Sequence, residues 1–205
     1  EKPDIVISTH PFGSQMTSYL KKKNKTKCIL ASILTDFAPH DQWLVGNEFI
    51  DYFFVAHEEM KYQLIDYGIP SFKVFATGIP VSSRFLRTYD KHEIFNFFKL
   101  NPNKKLILFF GGGEFGLGKE RTINIFKYLC QNTDKYQIVA ISGKNQKMKN
   151  SFENFVTEKN ANDIKIFEYT DKIPELMHIS SLVITKPGGL TSSESLASRS
   201  TYYSY

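Results

Sequence analysis

The chain has 205 residues, of which 41% are hydrophobic, enough for one large domain or two small ones. Its longest apolar runs, Cys28–Leu34 and Leu106–Phe110, are much shorter than the ~18 residues that a membrane-spanning helix needs, so no transmembrane segment is predicted. The net charge is +5, without the basic stripes and aromatic platforms of nucleic-acid binders, and we expect no nucleic-acid partner.

The first half of the chain alternates strands with helices. We predict strands at Asp4–Ser8, Cys28–Leu34, Tyr52–Ala56 and Val74–Thr77, and helices at Ser14–Lys23 and Glu58–Tyr67. Such alternation indicates a parallel sheet with helical crossovers.

One dense basic cluster follows the first predicted helix and consists of Lys21, Lys22, Lys23, Lys25 and Lys27. Cations at a helix C-terminus complement the helix dipole and are usually solvated. The alternative is attraction to an anionic membrane surface. The sequence leaves both interpretations open.

The pattern changes between Ser83 and Lys104, where a charged helix, Lys91–Leu100, precedes a new strand, and we interpret this segment as the join between two domains. We predict further strands at Leu106–Phe110, Gln137–Ser142, Ile164–Phe167 and Leu182–Thr185, and helices over residues 120–130, 146–159, 172–177 and from near Leu190. The fold class is therefore α/β, with two Rossmann-like halves and the ligand expected between them.

A glycine loop, Phe109–Gly118, follows the first strand of the second half. Gly111, Gly113 and Gly116 match GxGxxG, which lets backbone N–H groups approach a diphosphate. The second strand ends in Gly143-Lys144-Asn145 and lacks the acidic residue of a nicotinamide site. We therefore expect a phosphate site, the alternative being a turn that merely requires glycine.

A second turn, Thr185–Glu194, runs from a strand end through Lys186, Pro187, Gly188 and Gly189 into a helix. Thr191 and its neighbours place hydroxyls in the first helical turn, near free backbone donors. Glu194 is placed to accept hydrogen bonds from a ribose. A capping box formed by Thr191 and Glu194 would explain the same residues without a ligand.

Three polar residues follow adjacent strands of the first half: His10 after the first, and Asp36 and His40 after the second. Strands of a parallel sheet open at a common edge, where ligands bind. This set could position an acceptor hydroxyl or assist its deprotonation, although each residue alone is typical of a turn or cap.

Several motifs together resemble one known family. They are STHPF (Ser8–Phe12), TDF…HDQW (Thr35–Trp43), FFVAHEE (Phe53–Glu59), TGIPV (Thr77–Val81), GGGEFGLG, SGKN and TKPGGLTSSESLA. They are similar to the monogalactosyldiacylglycerol synthase and processive diacylglycerol glucosyltransferase branch of glycosyltransferase family 28, nearly from end to end.

The resemblance implies a GT-B fold, with two Rossmann-like domains whose parallel sheets face each other across a cleft. Residues 1–86 would be the C-terminal part of the diacylglycerol-binding domain, 87–103 the interdomain connection, and 104–205 the N-terminal part of the UDP-sugar domain. The reaction would be inverting and metal-independent. It would use no cofactor other than the donor substrate, UDP-glucose or UDP-galactose. The acceptor would be diacylglycerol or its glycosylated form, at the cytoplasmic side of a membrane with an anionic surface.

The resemblance also implies donor-side residues. The diphosphate would lie at Gly111, Gly112, Gly113, Phe115 and Gly116, with Gly143 and Lys144 nearby. Phe167 and Tyr169 would flank the uracil. Phosphate and ribose would be held by Lys186, Pro187, Gly188, Gly189, Leu190, Thr191 and Glu194.

Two departures from the family pattern concern the ends of the sequence. The glycine–histidine loop tied to catalysis would precede Glu1, and the Gln/Glu segment that distinguishes sugars would follow Ser200–Tyr205. If the polypeptide were complete, we would expect weak donor binding and no turnover. Two alternatives remain: a peptidoglycan-type N-acetylglucosaminyltransferase with a lipid-linked acceptor, and an inactive nucleotide-binding fragment.

Overall fold

The computed structural model describes residues 3–112, 118–161, 163–200 and 202–204. The chain divides into two compact units. The first holds residues 1–80 together with 188–190, and the second holds residues 81–187 and 191–205. Each unit is built on a parallel sheet, which confirms the predicted α/β class.

The first unit is a four-stranded sheet whose strands lie in chain order. Its elements are β1 (Ile5–Ser8), α1 (Pro11–Lys22), β2 (Ile29–Ile33), α2 (Asp41–Leu44), β3 (Tyr52–Val55), α3 (Glu58–Asp66) and β4 (Val74–Ala76), with 3-10 turns at Asn47–Phe49 and Ser71–Lys73. One face of the sheet forms the core with Leu30, Trp43, Phe53, Val55 and Leu64. On the other face Ile5, Ile7, Ile29, Tyr52 and Phe75 are exposed.

Helix α1 begins at Pro11, three residues before the predicted start. The reason is local: His10 occupies the N-cap and its Nδ1 accepts a hydrogen bond from the Phe12 amide, while proline is well suited to the first helical position. The buried face of the helix carries small polar side chains, Ser14 and Ser18. The Ser14 hydroxyl is hydrogen-bonded to that of Ser32 on β2.

The end of α1 is tied to the sheet by Asp51. Its Oδ2 accepts a hydrogen bond of 2.7 Å from the Leu30 amide and pairs with the Lys21 ammonium. Burial alone would raise the pKa of Asp51, but the Leu30 hydrogen bond and Lys21 outweigh it and hold that pKa below its usual value. Lys21 therefore has a structural partner inside the unit.

The second unit is a five-stranded sheet with the order β7-β6-β5-β8-β9. Its elements are α4 (Lys91–Phe97), β5 (Lys105–Phe110), α5 (Lys119–Leu129), β6 (Tyr136–Ile141), α6 (Gln146–Lys159), β7 (Ile164–Phe167), α7 (Ile173–Ile179), β8 (Leu182–Thr185), α8 (Gly189–Ala197) and β9 (Tyr202–Ser204), with 3-10 turns at Ser83–Leu86 and Cys130–Asn132. Strand β5 lies in the middle of the sheet, with β6 and β7 on one side and β8 and β9 on the other. The strand order therefore reverses between β5 and β8, the topological switch point at which α/β sheets bind ligands.

Strand β5 is buried on both faces, which explains its continuous apolar run. Leu106 and Leu108 point into one core, and Ile107 and Phe109 into the other. In the second core the rings of Phe126 and Phe152 stack with centroids 4.1 Å apart.

The predicted boundaries differ from the observed ones mostly by one or two residues. Two short elements were not predicted: α2, and β9, which pairs parallel with β8. Residues 87–103, predicted to be an interdomain connection, include α4, whose Ile94 packs into the second unit. Among the described residues, no helix combines the length and apolar character needed to cross a bilayer.

Candidate functional site

The carboxyl ends of the strands in the second sheet lie level with one another. Phe110 pairs with Ile141, which pairs with Phe167, and Phe109 pairs with Ile184. The ladder continues into the loops, since the Gly111 amide donates to the Ile141 carbonyl and the Ser142 amide to the Phe167 carbonyl, both at 2.9 Å. The loops after β5, β6, β7 and β8 therefore all leave the same edge.

The first two of these loops are in direct contact. A Cβ on Gly112 would lie 2.4 Å from the Ser142 carbonyl oxygen and 2.7 Å from the Gly143 nitrogen, so only glycine fits between these backbones. Gly143 itself has φ +64°, in the left-handed region that glycine tolerates best. A Cβ on Gly111 would meet the buried Phe152 ring at 2.5 Å. The predicted glycine loop and the SGKN turn thus meet through their main chains.

Part of the predicted diphosphate site is not among the residues that the structure describes. Gly113, Phe115 and Gly116 lie outside the described residues. The loop is described up to Gly112 and again from Gly118, which precedes α5.

Basic side chains follow two of the strands at this edge. Lys144 comes after β6 and is exposed, while Lys186 comes directly after β8 and is half-buried. Lys186 and Pro187 therefore follow one of the two strands that define the switch point, and the glycine loop follows the other. Glycine-containing loops and lysines at the point where the strand order reverses are typical of a phosphate-binding site.

Helix α8 begins at Gly189, just after Gly188, where an added Cβ would meet no atom within 4 Å. Thr191 thus lies inside the first helical turn rather than at the N-cap, so the structure does not support the capping-box alternative. Leu190 is exposed and Thr191 is half-buried.

Glu194 lies in the second turn of α8 and is half-buried. Removal from water raises the pKa of its carboxyl above the usual value. A partly desolvated carboxylate is a strong hydrogen-bond acceptor for a ligand that carries hydroxyl groups.

The two residues predicted beside the uracil have different environments. The Phe167 ring packs edge-to-face on Phe98, with centroids 5.6 Å apart, so it supports the core. Tyr169, two residues beyond β7, is 78% exposed and free to stack on a ligand.

Asp36 and His40, from the acceptor-side prediction, are brought together in the first unit. His40 Nε2 lies 3.4 Å from Asp36 Oδ2. The same carboxylate oxygen accepts a 2.9 Å hydrogen bond from the indole N–H of Trp43. Because the Trp43 ring is buried, it fixes the Asp36 carboxylate at the edge of the sheet. Trp43 is therefore a core residue, whereas Phe12 and Phe37 are exposed.

His10, the third residue of the set, acts as the N-cap of α1. Its loop lies beside that of Asp36, since the Thr35 hydroxyl donates to the Thr9 carbonyl at 3.4 Å. No hydrogen bond or ion pair joins His10 to Asp36 or His40 in the described part of the chain. The structure thus yields an Asp36–His40–Trp43 cluster with His10 on the neighbouring loop.

Sequence reasoning missed His57, which occupies the corresponding position after β3. Its Nδ1 caps α3 by accepting from the Met60 amide, and its Nε2 lies 3.1 Å from the Phe37 carbonyl oxygen. It therefore holds the loop that carries Asp36. The available signal was the repetition of a histidine directly after a strand and before a helix, as at His10.

No group of three or more His, Cys, Asp or Glu side chains suited to a metal ion occurs in the ranges that the structure describes. Both cysteines, Cys28 and Cys130, are free thiols. Burial raises the pKa of the Cys130 thiol to about 12, which keeps it protonated and unreactive at neutral pH.

Comparisons with known proteins match both halves of the chain. Residues 1–81 match the family described as monogalactosyldiacylglycerol (MGDG) synthase, and residues 106–200 match the glycosyltransferase family 28 C-terminal domain. A processive diacylglycerol beta-glucosyltransferase from Bacillus cereus (strain AH187) is 36% identical over 200 residues, which are 96% of this chain and 49% of the relative. The chain thus spans about half the length of the curated relatives that it matches.

Solved structures share the fold at low sequence identity. A UDP-GlcNAc 2-epimerase from Neisseria meningitidis bound to UDP-GlcNAc has a TM-score of 0.71 at 18% identity, covering 91% of this chain and 55% of the other. Anabaena HepE in complex with UDP and glucose has a TM-score of 0.66 at 13% identity, covering 97% and 58%.

Proposed function

Because the chain belongs to the monogalactosyldiacylglycerol synthase and processive diacylglycerol glucosyltransferase branch of glycosyltransferase family 28, we propose that it is part of an enzyme that transfers a hexose from a UDP-sugar to diacylglycerol. The observation that carries the proposal is the contact between the glycine loop and the SGKN turn at the switch point of the second sheet. Two glycine-containing loops that meet through their main chains, with lysines nearby, are suited to binding a nucleoside diphosphate at that position.

In this proposal the diphosphate lies against the loops after β5 and β8. The absence of a side chain at Gly111 and Gly112 lets the loop after β5 pack directly on Phe152 and the Ser142–Gly143 backbone, and this packing would hold the main chain of the loop beside the phosphates. Lys144 and Lys186 supply positive charge, and the first turn of α8 supplies unpaired backbone N–H groups. These groups would stabilise the negative charge that develops on UDP as the sugar leaves, so we propose that no metal ion is required.

The nucleoside is proposed to lie between the loop after β7 and α8. Glu194 would accept hydrogen bonds from the ribose hydroxyls, which suits its half-buried carboxylate. Tyr169 would stack on the uracil, since its ring is exposed. Phe167 would contribute through its backbone, because its ring is packed on Phe98.

On the acceptor side we propose that the Asp36 carboxylate takes the proton of the attacking hydroxyl. The acceptor oxygen forms a bond to the anomeric carbon while the bond from that carbon to the UDP oxygen breaks, and the proton passes to Asp36. Displacement from the opposite face inverts the configuration. His40, 3.4 Å from Asp36 Oδ2, would orient the carboxylate.

The choice of acceptor rests on the relatives. Both the family match over residues 1–81 and the 36% identical relative carry diacylglycerol in their names, which favours this acceptor over a lipid-linked muropeptide. The two names differ in the sugar, so UDP-glucose and UDP-galactose are both donors to test. Since diacylglycerol is a membrane lipid, the proposed place of work is a membrane surface.

Nucleotide binding is the first test. UDP at 100-fold its dissociation constant should stabilise the protein by about 2.7 kcal/mol, measured by thermal unfolding. ADP at the same concentration is the matched control for the diphosphate alone. Equal shifts with UDP and ADP would reduce the site to a general phosphate site, and no shift with either would overturn the proposal.

Transfer is measured separately with radiolabelled UDP-glucose or UDP-galactose and diacylglycerol in vesicles. Labelled glycolipid from one donor is the expected product. Transfer to a lipid-linked muropeptide in place of diacylglycerol would support the peptidoglycan-type alternative.

A further inference from the structure

Tyr169, the exposed ring proposed to stack on uracil, lies in a short loop between β7 and α7. The first end of this loop is held by the sheet. The Phe167 carbonyl accepts a 2.9 Å hydrogen bond from the Ser142 amide, and the Phe167 ring packs edge-to-face on Phe98. These contacts fix the point at which the loop leaves β7.

The second end of the loop is held by a residue that is distant in sequence. Nη2 of Arg84 donates a 2.8 Å hydrogen bond to the Asp171 carbonyl oxygen, across 87 positions of the chain. Between this bond and the end of β7 lie only residues 168–170. Because a three-residue span that is anchored at both ends has little conformational freedom, the position of Tyr169 depends on Arg84 as well as on the sheet.

The same guanidinium group also holds the helix that follows the loop. Nη2 of Arg84 lies 3.2 Å and 3.3 Å from the two carboxylate oxygens of Glu175, in the first turn of α7. Glu175 is only 8% exposed, and it also pairs with the Lys172 ammonium at 3.5 Å. The N-cap residue of α7 is Lys172, which is not one of the usual capping residues. Arg84 therefore anchors both the end of the loop and the first helical turn.

Arg84 is itself held by a fixed turn. It lies in the 3-10 turn Ser83–Leu86, whose Phe85 side chain is buried in the core of the second unit. The carbonyl oxygen of Arg84 accepts a 2.8 Å hydrogen bond from the Tyr89 hydroxyl. A donor whose own backbone is supported in this way can hold a neighbouring loop in one geometry.

From these contacts we propose that Arg84 is a positioning residue for nucleotide binding, which holds the loop after β7 so that Tyr169 is placed to receive the base. This inference rests on the proposed function, because it concerns the same nucleotide site. Arginine suits the task, since its planar guanidinium group can donate to a carbonyl and to a carboxylate at once, whereas a lysine ammonium is a flexible point charge.

The first variant separates this role from a purely structural one, in which Arg84 only neutralises the buried carboxylate of Glu175. R84K keeps a positive charge beside Glu175 but loses the planar group that also reaches Asp171. We expect R84K to unfold in urea at nearly the same concentration as the unaltered protein. It should bind UDP about two- to tenfold more weakly, since a side chain that must be ordered on binding lowers affinity by that factor.

A double-variant cycle with Tyr169 tests whether Arg84 acts through this ring. Y169A should weaken UDP binding by at least about fivefold, because stacking between the base and the ring is lost. R84K should then have almost no further effect in the Y169A background, since the ring that Arg84 positions is already absent. If the two losses of affinity are additive, Arg84 does not act through Tyr169 and the proposal is overturned.

Inorganic pyrophosphate is the matched ligand, because it can occupy a diphosphate site but carries no base. Its affinity should be the same for the unaltered protein, R84K and Y169A. A parallel loss of pyrophosphate and UDP affinity in R84K would indicate general damage to the site and would contradict the proposal. The control variant is R87K, which changes an exposed arginine three residues further along the chain and should bind both ligands normally.

Failure of this inference differs visibly from failure of the proposed function. If UDP stabilises the unaltered protein and R84K binds UDP normally, Arg84 is only a structural partner of Glu175, and the proposed transferase stands. If UDP stabilises neither the unaltered protein nor any variant, the proposed function and this inference are overturned together.

Discussion

The carboxyl edges of the two sheets are built by different means. In the second unit the edge is mostly main chain: Gly111 and Gly112 follow β5, and the Ser142–Gly143 backbone lies against them. In the first unit the edge is made of side chains, where Asp36 is held by His40 and Trp43. The same strand–loop–helix topology thus supports two kinds of site.

This difference matches two chemical tasks. A diphosphate has a fixed charge and can be recognised by backbone donors and lysines, which need no titration. Activation of a hydroxyl needs a group that accepts a proton, and only side chains supply one. We therefore expect substitutions at the carboxyl edge of the first sheet to affect the rate of transfer. Substitutions at the carboxyl edge of the second sheet should affect nucleotide binding and stability together.

The largest effect is expected from Asp36→Asn. Loss of the proton acceptor should lower kcat by about 100-fold, the lower end of the contribution of general acid–base groups. The thermal shift produced by UDP should stay unchanged, because Asp36 belongs to the acceptor side. Asp41→Asn, an exposed carboxylate of the same loop region at the start of α2, is the matched control and should retain activity. Comparable rates for the two variants would show that Asp36 only anchors Trp43.

A smaller but broader effect is expected from Gly112→Ala. The new methyl would overlap the Ser142–Gly143 backbone, so one loop must move, and we expect a loss of about 2 kcal/mol in the free energy of unfolding, as for overpacked interiors. UDP affinity should fall in parallel, because the same backbone forms the proposed diphosphate site. The readouts are urea unfolding and the UDP-induced thermal shift.

Gly188→Ala is the steric control for that experiment. Its Cβ would meet no atom within 4 Å, so the free energy of unfolding should change little. If Gly112→Ala were as stable as Gly188→Ala and bound UDP normally, the two loops would not be packed as described. That result would contradict the view that the carboxyl edge of the second sheet is built from main chain.

Much of this architecture could be predicted from the sequence, because hydrophobic periodicity is a local signal. The alternation of strands with helices predicted both sheets and the parallel direction of their strands. The continuous apolar run of β5 predicted a buried strand. The strand Tyr202–Ser204 was missed, because its three residues carry too short a pattern and it is defined by pairing with β8. The early start of α1 was missed because histidine is an uncommon N-cap, although Pro11 was a usable signal.

The site was predicted less completely, for a physical reason. Motifs locate loops along the chain, but they do not show which atoms face a ligand. The resemblance implies that Phe167, the last residue of β7, lies beside a uracil, but no motif could show that its ring packs on Phe98, a residue 69 positions earlier. His57 was overlooked because its contact with the Phe37 carbonyl joins loops 20 residues apart. Such contacts depend on tertiary packing.

The smallest effect is expected at Glu194, where stability and binding should change in opposite directions. Burial raises the pKa of this carboxyl, so the folded protein binds its proton more tightly than the unfolded chain does. The charged form therefore costs stability as the pH rises through the usual glutamate pKa of about 4.3, and the cost is complete above the raised pKa. Glu194→Gln removes that cost and should be slightly more stable than the unaltered protein at pH 7.

The stability advantage of Glu194→Gln should shrink as the pH is lowered through the raised pKa, and it should be lost below about 4.3, where the carboxyl is protonated in both the folded and the unfolded protein. UDP affinity should fall several-fold, because a neutral amide is a weaker acceptor for ribose hydroxyls than a carboxylate. Glu153→Gln, on the exposed side of α6, is the matched control and should change neither quantity. A carboxylate that lowers stability but is needed for binding is typical of a functional group. A gain in stability with unchanged UDP affinity would instead make Glu194 a structural residue of α8. Nucleotide binding at the carboxyl edge of the second sheet would then depend only on the backbone and the lysines.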